Sequence, residues 1–455
     1  MVIAQFNDSY PPLTDGVAQT ARNYTLWLNR KYGSCCVVTP QHPLADDHEE
    51  FPVMRFVSMP LFVVKDYKLG LPDIAFKTFH RLDTQPLDIV HAHCPFASGS
   101  LALMIARKKG IPVVATFHTK YADDFAQRLK MENAGKIAAK YTAKFYSQVD
   151  EVWAVNAASA ETLHEYGYRG PVTVMPNGCD FTPMERTPEN RQKVLKQFRL
   201  QDKPLLLFVG RIVEQKNIGF LLESMHLLNE TTDFNLMLLG DGESMPVYQN
   251  MARELGVADR VMFAGTLQDR ELLRRVYAAA DLFVLPSIYD NAPLVVREAA
   301  SCGCPSALLA GTNAAEGITD GMNGFTSEIS PAAYAGMLSR VLANPELIRK
   351  AGESARETVY VSWEKIVDKV AVEYQRIIAE YTGKKHASGK KRRYASIPAV
   401  FARDMINRQA VRIKFTAKSL DRQSKQRNAE MQKQSKLRVK EFKSRILEAK
   451  RRRDL

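Results

Sequence analysis

Two runs of alternating strand-like and helix-like segments, separated by one polar stretch, constrain the fold of this chain more than any other feature. Short apolar runs at 2–6, 35–39, 88–91, 112–117, 151–155 and 172–175 read as buried strands. Amphipathic stretches at 17–28, 100–108, 134–146 and 158–166 lie between them and read as helices. Strands that alternate with helices can share a parallel sheet only through crossovers that cover both of its faces. A polar stretch from 179 to 203, rich in Pro, Arg, Glu and Gln, reads as a linker with one short helix. The alternation then restarts, with strands at 205–209, 236–239, 261–263, 282–285 and 306–309 and helices at 218–228, 248–255, 271–279 and 293–300. From Pro331 to Tyr381 the pattern is helical, and apolar residues at 366, 367, 370, 374, 377 and 378 mark one buried face. The expected fold class is α/β, with two doubly wound halves facing a cleft between the carboxyl ends of their sheets, where such folds bind ligands.

Composition bears on partners. The formal charge is +13, but 24 basic and 6 acidic residues lie in 384–455, so that segment carries +18 and the remainder −5. A basic excess invites an anionic partner, and here the excess belongs to a tail. The start of the chain lacks a basic region followed by a long apolar one, so no secretory signal is expected. No apolar run approaches the ~18 residues a membrane span needs. The six cysteines (35, 36, 94, 179, 302 and 304) lack metal-site spacing, and buried reduced thiols are expected. His91, His93 and His118 have no short ligand spacing either, and no metal site is expected.

Three loops carry candidate chemistry. The first, Asp8 to Gly16, follows a strand and opens a helix; Gly16 would let a backbone approach a ligand at a helix N-terminus that favours phosphate. As a single glycine at a helix start it also fits an ordinary turn. In the second, Gly210, Arg211 and Lys216 stand where a strand gives way to a helix. Arg can bind a diphosphate bidentately and Lys as a point charge, although two solvated surface cations would look the same. The third runs from Pro286 to Pro305 and carries Asp290 and, eight residues on, Glu298. Carboxylates accept hydrogen bonds from hydroxyls, so this pair suits a sugar or ribose. The backbone amides of Asn291, Ala292, Pro293 and Leu294 are expected to point at the same place.

Taken together and in order, these pieces resemble the retaining, nucleotide-sugar-dependent glycosyltransferases of family four. The resemblance spans 1–381 and rests on Pro11-Pro12-x-x-Asp15-Gly16, His91-Ala-His93, Thr116-Phe-His118-Thr119, Pro176-Asn-Gly178, Gly210-Arg211 with Lys216, Gly240-Asp-Gly242 and the acids 290 and 298. It implies the GT-B fold of two Rossmann-like domains. These would be an acceptor domain over 1–180, a linker over 181–203 and a donor domain over 204–362. A helix over 363–383 would cross back to the first domain, and a basic tail over 384–455 would be helical or disordered. It also implies roles. Arg211 and Lys216 would bind the donor diphosphate and stabilise the leaving group, with Gly210 beside them. Glu298 would hold the ribose, and Asp290 the hydroxyls of the transferred sugar. Gly16 would let the first domain close over the diphosphate, and His118 would bond a sugar hydroxyl or assist at the reacting centre. The family usually has Glu where this chain has Asp290, which keeps the charge and shortens the reach. The resemblance implies no required cofactor or metal, a UDP-sugar donor (UDP-glucose foremost), and same-face attack assisted by the donor phosphate.

The acceptor half is most similar to bacterial diacylglycerol glucosyltransferases and phosphatidylinositol mannosyltransferases, which implies a lipid acceptor. Lys136, Lys140 and Lys144 alternate with Ala, Tyr and Phe in a helical stretch, a pattern that suits an anionic membrane surface and equally a solvated helix face. The tail reads as a peripheral membrane anchor, a nucleic-acid arm or a solubilising extension; its few aromatics disfavour nucleic acid. The expected location is cytoplasmic, on the inner face of the cell membrane. Two other functions stay open: transfer to a polysaccharide or polyprenyl-linked acceptor, and a non-catalytic lipid- or RNA-binding scaffold.

Overall fold

The computed structural model describes residues 1–13, 15–60, 67–129 and 132–382; the basic tail expected over 384–455 lies outside the described residues. The first half runs β1 (Ile3–Phe6), α1 (Gly16–Tyr32), β2 (Cys35–Pro40), β3 (Val53–Phe56), β4 (Ser58–Pro60), β5 (Lys68–Gly70), α2 (Phe76–Thr84), β6 (Ile89–Ala92), α3 (Ala97–Lys109), β7 (Val113–Phe117), α4 (Tyr121–Leu129), α5 (Glu132–Tyr146), β8 (Glu151–Ala154), α6 (Ala157–Glu165) and β9 (Thr173–Val174). After α7 (Pro188–Phe198) the second half runs β10 (Leu205–Val209), α8 (Ile218–Leu228), β11 (Asn235–Leu239), α9 (Met245–Glu254), β12 (Val261–Gly265), α10 (Arg270–Ala279), β13 (Leu282–Leu285), α11 (Leu294–Ser301), β14 (Ser306–Leu309) and β15 (Gly324–Ser327). Three helices close the described chain: α12 (Pro331–Leu342), α13 (Pro345–Thr358) and α14 (Trp363–Glu380).

The strands form one seven-stranded sheet, ordered β3-β2-β1-β6-β7-β8-β9, and one six-stranded sheet, ordered β12-β11-β10-β13-β14-β15. Every pairing in both is parallel. Each sheet therefore starts in its middle, runs outward, returns and continues on the other side, which is the doubly wound Rossmann order. The order reverses between β1 and β6 in the first sheet and between β10 and β13 in the second, and the loops leaving these strands open a crevice for a ligand. The central strands are buried along their whole length, so they read as continuous apolar runs.

The edges are less legible. Strand β3 alternates half-buried and buried residues and contains Arg55, and β15 opens with Gly324. Neither has the apolar run that marks the inner strands, and neither stands out in the sequence. The antiparallel pair β4–β5 is likewise absent from the strands expected above.

Helix α14 packs against the first half although it follows the second. Trp363, Ile366, Val367, Val370, Tyr374 and Ile377 share one core with Ile3, Tyr24, Leu28, Ile89, Val114 and Trp153. Each such aliphatic side chain stabilises the docked helix by about 1.5–3 kcal/mol when fully buried. Ser362 caps the helix by accepting from the Lys365 amide at 3.3 Å. The Pro176-Asn-Gly178 motif has its physical reason here, since a Cβ on Gly178 would lie 2.6 Å from the Trp363 Cα. Lys31 closes the far side with an ion pair to Asp368 at 2.7 Å.

Candidate active site

The expected donor residues sit on the two loops that flank the switch point of the second sheet. The loop after β10 carries Gly210, Arg211 and Lys216, and the loop after β13 carries 286–293. Two side-chain bonds tie the loops together: Asn217 donates to the Pro286 carbonyl at 3.1 Å and Ser287 to the Gln215 carbonyl at 3.3 Å. Asn217 has a φ of 58°, a left-handed conformation that Asn tolerates better than most residues. The Gly240-Asp-Gly242 turn presses on the same loop, since a Cβ on Gly240 would lie 1.9 Å from the Gly210 carbonyl oxygen.

Lys216 and Asp290 meet across this junction. The ammonium donates to both carboxylate oxygens, at 2.6 and 2.8 Å, and the two side chains keep 20% and 21% of their exposure. The diphosphate-binding cation and the sugar-binding acid of the sequence reading are thus each other's partner. Arg211 is exposed, and its guanidinium has no partner among the described residues.

Glu298 stands apart from Asp290. It lies buried on α11, accepts from the Tyr277 hydroxyl at 3.0 Å and lies 3.5 Å from Arg270. Burial raises its pKa above the usual carboxylate range, while Arg270 opposes that shift. Arg270 also bonds Asp180 at 2.6 Å and lies over the Phe181 ring, 4.4 Å from its centroid. Tyr277, Arg270 and Asp180 are therefore part of this carboxylate's setting, and no local spacing in the sequence announces them.

One expectation needs correction. Pro293 has no amide hydrogen, so of residues 291–294 only Asn291, Ala292 and Leu294 can offer backbone donors. The Gly210 amide donates to the Leu239 carbonyl at 2.9 Å. Gly16 opens α1 behind the Asp15 cap, whose carboxylate accepts from the Ala18 amide at 2.7 Å. It is exposed, and nothing lies within 4 Å of the position a Cβ would take.

Asn291 crosses the cleft. Its side chain donates to the His118 backbone carbonyl at 2.8 Å, and its own carbonyl accepts from Asn156 at 3.0 Å. Asn313 donates to its side-chain oxygen at 3.0 Å. Further along, the Glu316 carboxylate accepts from the amides of Ala157 and Ala158 at 2.8 and 2.7 Å, at the start of α6. His118 follows β7, and the strands bring it to His93 and His91: adjacent ring centroids are 5.2 and 4.3 Å apart. Burial lowers the pKa of all three imidazoles, that of His118 to about 3. Lys136, Lys140 and Lys144 lie on α5, each exposed, with Ile137 also 53% exposed beside them. Among the described residues no helix is long and apolar enough to cross a membrane, and no group of three or more His, Cys, Asp or Glu side chains is arranged to hold a metal ion.

Comparison with known proteins gives this geometry a family. The model described as Glycosyltransferase Family 4 matches residues 14–182, and that described as Glycosyl transferases group 1 matches residues 190–358. A D-inositol 3-phosphate glycosyltransferase from Nocardiopsis dassonvillei is 31% identical over 63% of this chain and 70% of its own length. The chain belongs to glycosyltransferase family 4. As a family-4 protein it is a glycosyltransferase, which sets aside the non-catalytic scaffold. Two other relatives are named alpha-monoglucosyldiacylglycerol synthase. That of Streptococcus pneumoniae is 29% identical over 67% of this chain and 70% of its own, and that of Acholeplasma laidlawii 25% over 78% and 92%. Among solved structures, a sucrose-phosphate synthase from Thermosynechococcus elongatus superposes with a TM-score of 0.69 at 21% identity, covering 83% of this chain and 99% of that one. Anabaena HepE in complex with UDP gives 0.66 at 17%, covering 83% and 100%. The fold is GT-B, as the family resemblance implies.

Proposed function

We propose that this glycosyltransferase moves glucose, with retention, from UDP-glucose to a diacylglycerol-type lipid at an anionic membrane surface. The observation that carries the donor half is the pair of tied loops at the second sheet's switch point, which hold Arg211 and the Lys216–Asp290 pair; in this reading they receive the diphosphate and hexose of the nucleotide sugar. Cations there stabilise the charge that develops on the leaving diphosphate. The diphosphate would take Lys216 from Asp290, and the released carboxylate could then accept from sugar hydroxyls. Glu298, held by Tyr277, would receive the ribose hydroxyls. No metal is required in this reading, because the two cations supply the charge.

The acceptor half rests on the names of the two synthase relatives and on the exposed lysine row of α5, with Ile137 beside it. About 1 kcal/mol per basic residue near an anionic surface makes three such lysines, aided by the tail, enough to recruit the enzyme. A second reading is favoured by the 31% identical relative, whose name specifies a phosphorylated inositol. Transfer to a polysaccharide or polyprenyl-linked acceptor is the third. A donor-by-acceptor screen with mass analysis of the products separates them. Diacylglycerol, inositol phosphate and polyprenyl acceptors differ in mass and extraction, and a hexose added only to a water-soluble acceptor would rule out the lipid reading.

A further inference from the structure

One chain of hydrogen bonds runs from His118 through the first sheet to helix α14. His118 Nε2 lies 3.0 Å from His93 Nδ1, and His93 Nε2 lies 2.9 Å from Gln5 Oε1. Gln5 Nε2 donates to the Tyr374 hydroxyl at 3.2 Å. That hydroxyl is 2.5 Å from His91 Nδ1, and His91 Nε2 is 2.7 Å from Thr116 Oγ1. Gln5, His91, His93, Thr116 and Tyr374 are buried to within 1% of completely, and His118 to 9%. Buried polar groups must find their partners within the protein, so these contacts are obligatory rather than incidental. Because burial holds the three imidazoles neutral, each has one N–H and one bare nitrogen.

With the Gln5 amide oriented this way, counting donors sets the protons of His93 and His118. Gln5 Oε1 only accepts, so His93 carries its hydrogen on Nε2. His93 Nδ1 is therefore bare and accepts from His118 Nε2–H. On the other side, Gln5 Nε2 donates to the Tyr374 hydroxyl, and the bonds from Tyr374 to His91 and from His91 to Thr116 are consistent with either His91 tautomer, because both hydroxyls can donate or accept. On the His93–His118 branch the direction is reversed only by turning the Gln5 amide and moving both imidazole protons together.

We propose that Gln5 and Tyr374 are positioning residues that hold His118 as its Nε2–H tautomer, so that its remaining nitrogen, Nδ1, can only accept a hydrogen bond. For a transferase that must grip a hexose, this makes His118 an acceptor for a donor-sugar hydroxyl. That last step rests on the function proposed above, whereas the tautomer does not. It also makes a docked α14 part of the site, because Tyr374 reaches His91 across 283 residues of sequence.

The experiment uses the full chain labelled with 15N in its histidines. Long-range 1H–15N correlation reads the tautomer, and the His118 signals are assigned by their loss in His118→Gln. The wild type is expected to show a protonated Nε2 and a bare Nδ1. Tyr374→Phe cuts the relay and loosens the Gln5 amide, which Cys35 also bonds, so His118 should become a mixture of tautomers and kcat should fall about tenfold, the scale of one hydrogen bond. Thr116→Val, which removes the terminal partner with little change of volume, should shift the same signals, as a second route if Tyr374→Phe folds poorly. Ile377→Val, on the same buried face of α14 but outside the relay, should leave the tautomer and kcat unchanged. A wild-type His118 protonated on Nδ1 would overturn the proposal. So would folded Tyr374→Phe and Thr116→Val proteins that both keep the wild-type signals. The expected tautomer in a protein that transfers no sugar would support the relay and overturn the proposed function instead.

Discussion

At the scale of single residues, the candidate site is organised around the Lys216–Asp290 ion pair, in which the ammonium holds both carboxylate oxygens. The proposed function requires that pair to open, because a bound diphosphate would compete with the carboxylate for the ammonium. Lys216→Ala is expected to lower kcat/KM for the nucleotide sugar by about 10²–10³, the usual scale for losing one preorganised charge-stabilising donor. Steady-state kinetics of UDP release check it. Asp290→Asn should weaken the pair and change KM for the hexose more than for free UDP, which inhibition by UDP separates. The histidines make a prediction about stability. His118 titrates near 3 in the folded protein and near 6.5 when unfolded, so its contribution is fully present above 6.5 and is lost as pH falls toward 3. His91 and His93 shift in the same direction. Each such group steepens the loss by up to about 1.4 kcal/mol per pH unit. Denaturant titrations at pH 7 and pH 5 should show the lower stability at pH 5, and equal stabilities would contradict the neutral cluster. The places of Arg211, Lys216 and Asp290 on strand-to-helix loops, and of Glu298 on the helix that follows, were legible in the sequence from the strand-then-helix pattern around them. Gln5, Tyr374 and Tyr277 were not, because their partners lie far away along the chain and a buried Gln or Tyr looks like core.

Among the elements, the inner strands of both sheets could be read within a residue or two. Their continuous apolar runs report burial on both faces, whereas β3 and β15 at the sheet edges lack that signal. Helix α14 was legible as a helix from its 3.6 period, and that it crosses back to the first half came from the family resemblance, since periodicity identifies a buried face and not its partner. The structure shows that face on the first half, under Trp363 and Tyr374. Trp363→Ala is expected to cost about 3–5 kcal/mol of stability through lost packing. Chemical denaturation monitors it, and a loss below 1 kcal/mol would mean that the helix does not hold the core as described. Helix α5 makes a prediction of its own. Replacing Lys136, Lys140 and Lys144 together by Glu should reduce partitioning onto anionic vesicles, at about 1 kcal/mol per lost charge. The sedimentation assay should show the difference shrinking as salt is raised.

For the whole molecule, Asn291 and Glu316 tie the two halves together, through His118 and Asn156 and through the start of α6. The net charge of +13 divides into −5 over the body and +18 over 384–455, so it bears on where the enzyme sits and not on what its cleft does. In the proposed reaction a lipid hydroxyl receives the sugar. This step is tested most directly by the rate of UDP release from UDP-glucose by the full chain on anionic vesicles, with and without diacylglycerol in the bilayer. Release is expected to depend on diacylglycerol and to be matched by glucosylated lipid. Release at the same rate without diacylglycerol, with no sugar recovered in the lipid, would contradict it.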